Sequence, residues 1–162
     1  MKRYIGTKLI NAKPMTRQAY NDFRGWTLPA DENGADEGYL VEYVDGGKGN
    51  TDHYAGYVSW SPADVFDRAY RPCEGMTFGQ AIEAMKDGQK VARAGWNGKG
   101  QWLTYVGTGF YDVGMSIVNP HHDMDKILRL RPWIGIKTVD DQFMPWLASQ
   151  SDMLSDDWRF VE

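Results

Sequence analysis

The hexapeptide Tyr70-Arg71-Pro72-Cys73-Glu74-Gly75 sets the first limit on what this chain can form. It holds a proline and a glycine and lies between two helix-like patterns, so it reads as a boundary. An N-terminal module at 1–72 and a C-terminal module at 73–162 follow. Each is close to the ~80 residues below which a single hydrophobic core supplies little stability. Modules of that size lean on a partner, and assembly as a homo-oligomer is the physical expectation.

Within these modules the aromatic content narrows the architecture. The 162 residues include 7 Trp, 9 Tyr and 6 Phe, an aromatic share of 14%, alongside 18 Gly. Such a chain reads as short strands and tight turns, with rings left over for a binding surface. Hydrophobic residues at 42% and charged residues at 25% suffice for a packed core. A net charge of -4 without a long Lys/Arg run argues against coating polymeric nucleic acid. A compact anion needs only a few local cations and stays open. Cys73 is the single cysteine, which leaves no intrachain disulfide and no thiolate zinc site. No apolar run approaches the ~18 residues of a membrane span. Lys8 and Asn11 interrupt the apolar stretch that a signal peptide needs, so a cytoplasmic protein away from membranes is expected.

The coarse fold class is α+β, with small antiparallel sheets each packed with a short helix. In the N-terminal module Thr16 caps a helix with Ala19 and Phe23 on one side. Strands are expected over Gly38–Val44 and Tyr54–Trp60, joined by the turn 45–50. Ser61 then caps a second helix, with Pro62 at its first position, Asp64 in its first turn, and Val65, Phe66 and Ala69 as its buried stripe. In the C-terminal module Thr77 and Gln80 fit a capping box. Phe78, Ala81, Ile82 and Met85 follow helical spacing, and Gly88 ends that helix. Strands are expected over 90–94, 101–106, 127–131, 133–137 and 158–161, and Ser149 with Asp152 caps a short helical turn. The segment 107–125 reads as loop. Arg24-Gly25-Trp26 and Arg93-Ala94-Gly95-Trp96 echo each other, but too briefly to define a repeat.

No catalytic constellation is legible. Adjacent His121 and His122 do not make a chelating pair by spacing, His53 stands alone, and no Gly-rich phosphate loop occurs. Asp152, Asp156 and Asp157 cluster near the end, where capping accounts for Asp152 more cheaply than a glycosidase pair. Recognition residues are better supplied. Trp96 lies in a glycine-punctuated turn, with Arg93 before it and Asn97 after it. Trp146 follows Pro145 and precedes Ser149, Gln150 and Asp152. An indole stacks on a base, amides and carboxylates read base edges or ribose hydroxyls, and arginine binds phosphate. The residues point to a planar, partly anionic small ligand. No metal site and no cofactor are expected.

A resemblance sharpens this. Met76 to Met85, followed by Gly88, Val91-Ala92-Arg93 and Gly95-Trp96-Asn97-Gly98, resembles the opening of the second type of Thoeris anti-defence proteins of phages. Pro145-Trp146-Leu147-Ala148-Ser149-Gln150-Ser151-Asp152, continuing to Trp158, is similar to that family's closing motif. The resemblance covers residues 76–162 with a variable middle. It implies a non-enzymatic sponge that forms a homotetramer in the infected bacterial host. Such a sponge holds glycocyclic ADP-ribose, the signal made by TIR-domain immune enzymes, in pockets between subunits. It also implies, for some members, cyclic di- or trinucleotides as further ligands at separate pockets. Carried over, it makes Trp96 and Trp146 stacking walls for adenine and Arg93 a phosphate ligand. Asn97, Ser149, Gln150 and Asp152 become polar contacts, and Asp157 and Trp158 read as structural. Phe110, Tyr111 and Asn119 fall in the variable middle.

Tyr4 to Lys8, Pro14-Met15-Thr16, Arg24-Gly25-Trp26 and Gly56 to Pro62 resemble a small phage module to which no activity attaches. Two rival readings stay open at this point. One is a nucleotide hydrolase using Asp152 or Asp157, and the other is a protein-interaction module with structural tryptophans.

Overall fold

The computed structural model describes residues 1–107 and 131–162, which fall into two compact units, Met1–Arg71 and Pro72–Glu162. Both combine an antiparallel sheet with short helices, the α+β class expected from the sequence. The strand expected at 127–131 lies, but for Arg131, outside the described residues. So do the His121-His122 cluster, Phe110, Tyr111 and Asn119.

The first unit is built on a three-stranded sheet of β1 (Asn11–Pro14), β2 (Gly38–Tyr43) and β3 (Tyr57–Pro62), in that order. Helix α1 (Arg17–Arg24) starts where the Thr16 hydroxyl accepts the Ala19 N–H, and ends at Gly25, whose left-handed φ of 67° glycine adopts without steric cost. Strand periodicity sends Leu40, Val58 and Trp60 to one face, where Tyr20 of α1 completes a core with Leu40 and Val58. Tyr39 points to the other face and stacks at 3.9 Å on Phe66 of α2 (Ala63–Ala69). Central β2 is therefore covered on both sides. Buried Glu42 accepts hydrogen bonds from Asn11 Nδ2 and Gly56 N–H, both at 3.0 Å.

Three local expectations need correction here. Strand β3 begins at Tyr57 because Gly56 is held in the turn by Glu42, and Asn50 closes the outer edge at Val58 with two 2.8 Å bonds. Ser61 caps nothing, since the ladder holds it opposite Tyr39 and continues to Pro62. Pro62 is the N-cap instead, without a side-chain bond, and the Ala63 N–H donates to the Glu37 carbonyl. Of the expected stripe on α2 only Phe66 is covered, while Val65 and Ala69 stay exposed. Strand β1 went unread because Asn-Ala-Lys-Pro has no apolar alternation and lies exposed on a sheet edge, where proline is tolerated.

The second unit holds five antiparallel strands in the order β7 (Phe143–Pro145), β6 (Trp133–Lys137), β5 (Trp102–Val106), β4 (Val91–Arg93), β8 (Trp158–Phe160). Helix α3 (Phe78–Lys86) opens with the full Thr77–Gln80 capping box. Its Ala81 and Met85 sink into a core with Met76, Val91, Leu103 and Trp158, and Phe78, Ile82, Ile134 and Ile136 pack around them. Gly88, at φ 87°, lets the chain leave the helix toward β4. A second short helix, α4 (Gln150–Met153), precedes β8, so the closing strand lies beside β4.

Trp158 is the largest fully buried side chain of this core. Trp158→Ala is expected to cost about 3–5 kcal/mol, the usual penalty for emptying a large aromatic site. The urea midpoint followed by circular dichroism measures it, and a loss below about 1 kcal/mol would contradict this packing.

Candidate functional site

At the end of β4 the chain turns sharply, and one carboxylate shapes that turn. Asp157 Oδ2 accepts the Gly95 N–H at 2.9 Å, and the Asp157 carbonyl accepts the Ala94 N–H at 3.0 Å. A Cβ on Gly95 would sit 3.1 Å from Asp157 Oδ2, tighter than ordinary contact, so glycine suits this approach. Trp96 follows directly. Trp146 lies one residue past β7, yet its N–H still donates to the Ile134 carbonyl at 2.9 Å, which extends the ladder and fixes it. Trp158 begins β8 and donates its indole N–H to the Asp152 carbonyl at 3.1 Å.

These placements bring three indoles together. Trp96 and Trp146 have centroids 6.1 Å apart at 61°, Trp96 and Trp158 5.6 Å at 75°, and Trp146 and Trp158 6.1 Å at 81°. Each pair is edge-to-face, an arrangement worth about 0.5–1.5 kcal/mol beyond its area burial. Phe78 backs the group at 5.4 Å from Trp158. Burial is graded: Trp158 is sealed inside, whereas Trp96 and Trp146 are half-buried. The two outer rings thus form a corner. Planes inclined at 61° within one chain do not sandwich a base between them.

Beneath the corner lies an ionic cluster. Arg93 Nε donates to Asp157 Oδ1 at 2.7 Å, Nη2 to Asp157 Oδ2 at 3.4 Å, and Nη1 to Asp152 Oδ1 at 3.0 Å and the Ser151 carbonyl at 3.3 Å. Asp152 also accepts the Trp96 indole N–H at 3.4 Å. Its other oxygen accepts the Ser149 hydroxyl at 2.6 Å and completes the capping box of α4. The guanidinium holds the Asp157 carboxyl below the usual range despite desolvation. For Asp152 burial pushes upward, but the bonds from Ser149, Arg93 and Trp96 together outweigh it and leave a lowered pKa. Asp157 and Asp152 in turn raise the pKa of Arg93, so the cluster is fully charged at neutral pH.

The structure therefore gathers Arg93, Trp96, Trp146, Ser149 and Asp152 into one place. Arg93 does not stand open for a phosphate: two carboxylates neutralise it, because Asp157 and Asp152 converge on it from the chain's end. Ser149 and Asp152 are occupied in capping. Asn97 and Gln150 are exposed, with side chains that take no hydrogen bond among the described residues. The sequence reading set Asp157 aside as structural without seeing its partner; 64 residues separate it from Arg93, and no local spacing signals such a pair. It also passed over the opposite face of the sheet, where Phe143 lies 6.2 Å from Trp102 and 5.7 Å from Trp133 and covers Gly135. Among the described residues no group of His, Cys, Asp or Glu could hold a metal ion.

The depressed carboxyl pKa values link the cluster to stability. Asp152 and Asp157 bind protons more weakly folded than unfolded, so their contribution is complete above the unfolded carboxyl range. It fades as the pH drops below about 4 and through the folded values. Asp157→Asn is expected to cost about 2 kcal/mol at neutral pH and to flatten the acid limb of the stability curve. Urea midpoints of parent and variant at neutral and acidic pH check both effects. An acid limb of equal steepness in the two proteins would refute the linkage.

Comparison with known proteins covers this unit. The profile of the Thoeris anti-defense 2-like domain matches residues 76–161, from Met76, which bridges to Trp158 just before α3, through β8. Thoeris anti-defense 2 of Bacillus phage SP01 is 36% identical over 86 residues, which are 53% of this chain and 94% of that protein. The profile begins at Met76 and leaves the first unit outside the match. With the profile spanning the whole corner from Arg93 to Trp158, the chain belongs to the Thoeris anti-defense 2-like family, and its function class is anti-defence directed at Thoeris.

Proposed function

We propose that this chain counters Thoeris by binding and withholding a glycocyclic ADP-ribose signal made by TIR-domain enzymes, without cleaving it. The observation that carries this reading is the corner of half-buried Trp96 and Trp146, buttressed by buried Trp158 and held by the Arg93 cluster. A purine lies flat on one indole while the other closes its edge. Asn97 and Gln150 are the unengaged polar groups that reach the ligand's hydrogen-bonding edges. Arg93, Ser149 and Asp152 hold the wall rather than the ligand.

A corner offers one stacking surface, and tight binding of a small ligand needs an enclosed pocket. The opposite wall comes from a second copy in a homotetramer. Leu147 at 91% and Leu154 at 84% exposure flank the corner, apolar surface of the kind that oligomer contacts cover. Chemistry at Asp152 or Asp157 is disfavoured in this reading. A general acid works best with a pKa near the operating pH, whereas both carboxyls are lowered and tied to Arg93. The site of action is the cytoplasm of the infected cell, where the signal is made.

Titrating the purified chain with glycocyclic ADP-ribose in a calorimeter, then denaturing it and weighing the released ligand, tests both halves. Saturable binding and recovery of intact ligand are expected. Trp146→Ala, confirmed as folded by circular dichroism, is expected to weaken binding about 10- to 100-fold, the worth of one stacked base. Unchanged affinity in that variant removes the stacking role, and a cleaved ligand makes the protein an enzyme.

A further inference from the structure

Two Asn-Gly steps occur in the chain, Asn33-Gly34 and Asn97-Gly98, and the structure treats them in opposite ways. Asn33 is clamped. Its Nδ2 donates to Asp36 Oδ1 at 3.0 Å, its Oδ1 accepts the Ala35 N–H at 3.1 Å, and its carbonyl accepts the Asp36 N–H at 3.1 Å. Gly34 is held as well, with its carbonyl accepting the Gln18 N–H at 2.9 Å and the Gln18 side chain lying against it. Asn97 is exposed, and its amide takes no hydrogen bond among the described residues. It stands in a turn containing Gly95, Gly98 and Gly100, the last at φ 78°.

We propose that Asn97 is a site of spontaneous covalent modification that converts a neutral amide beside Trp96 into a carboxylate. The backbone nitrogen of Gly98 attacks Cγ of Asn97. The new N–Cγ bond closes a five-membered imide, the Cγ–Nδ2 bond breaks, and ammonia leaves with the proton of the Gly98 amide. Water then opens the imide at either carbonyl, giving aspartate or isoaspartate; one water is consumed and one ammonia released. Glycine at the attacking position presents no Cβ to block the approach. A Cβ at Gly98 would lie 2.1 Å from Gln101 Oε1, the end of a flexible side chain that moves aside to admit it, so Gly98→Ala is an available variant. At Asn33 the same attack requires breaking both side-chain hydrogen bonds first.

The consequence for the ligand rests on the nucleotide-binding reading, whereas the modification itself does not. Asp152 and Asp157 already lie under the corner, so another negative charge beside Trp96 opposes a ligand carrying phosphates. The protein then withdraws its own binding site with age.

The test ages the full chain in mildly alkaline buffer and reads each Asn-Gly peptide by mass spectrometry, with enzymatic methyl labelling of isoaspartate. Conversion at Asn97 is expected to run at least about tenfold faster than at Asn33, the factor that the two retained hydrogen bonds supply. Gly98→Ala slows it. Equal rates at the two steps, or an Asn97 that stays intact in a chain that binds glycocyclic ADP-ribose, overturn the inference. Aged parent protein is then titrated beside fresh protein. An affinity that falls with the carboxylate fraction places the modification in the ligand site. A modified Asn97 in a chain that never bound the nucleotide leaves the chemistry standing and removes the functional reading alone.

Discussion

The second unit depends on one guanidinium. Arg93 ends strand β4, which lies between β5 and the edge strand β8, and through it three stretches are tied: the turn leading to Trp96, the helical turn capped by Ser149, and the closing strand that begins at Trp158. Partly burying one cation with two anions carries a desolvation cost, which good geometry offsets. Here the fork of Arg93 meets Asp157 through two nitrogens, and each carboxylate has a further donor, the Gly95 N–H on Asp157 and the Ser149 hydroxyl on Asp152. The arrangement contributes orientation more than net energy. It sets the plane of Trp96 through Asp152 and the course of the backbone through Asp157, so the corner stands ready before any ligand arrives.

Aromatic residues meet both cations and other rings in each unit, as the Tyr39–Phe66 stack of the first and Lys90 over Trp102 at 5.0 Å in the second show. In the first they serve as platforms for cations: Lys8 lies over Tyr43, Lys13 over Tyr54, Arg17 over Trp60 and Arg24 over Trp26, at 4.4 to 5.7 Å. Exposed contacts of this kind contribute about 0.5–1 kcal/mol each, and they shield ring faces from water. In the second unit rings meet rings, edge to face, around Trp158. A ring that meets another by its edge keeps one face uncommitted where the pair reaches the surface. Trp96 and Trp146 are the half-buried members of that group, and the proposed reading lays a flat ligand against them.

Much of this was legible in the residues. Capping signals placed α1, α3 and α4 because Thr16, Thr77 and Ser149 each have the local geometry that a hydroxyl cap needs, and local geometry is what short motifs encode. The same logic misplaced Ser61, where pairing with Tyr39 in the ladder outcompeted the cap. Edge strands β1 and β7 escaped because three or four residues on a sheet margin need no apolar alternation. The flanks of Trp96 and Trp146 singled out residues that the fold brings together, but not the bonds among them. Asp157 and Arg93 meet only in three dimensions, and the angle between Trp96 and Trp146 follows from the sheet register, which no spacing in the chain reveals. The resemblance named the family; the geometry adds that Arg93, Ser149 and Asp152 bond to one another within the protein.

Under the binding reading proposed above, these bonds bear on how a sponge would differ from an enzyme. A hydrolase acting on a pyrophosphate would place a base or an acid with a pKa near neutrality against the scissile bond. This cluster does the reverse: hydrogen bonds hold both carboxyls in their charged form, and the cation is spent on them. Rigidity of that sort suits retention, because a preformed apolar corner loses little entropy when it takes up a ligand. In that reading specificity falls to the rim, where the exposed amides of Asn97 and Gln150 lie. Neither side chain bonds to the charged cluster beneath among the described residues, so under the binding reading rim and scaffold vary independently.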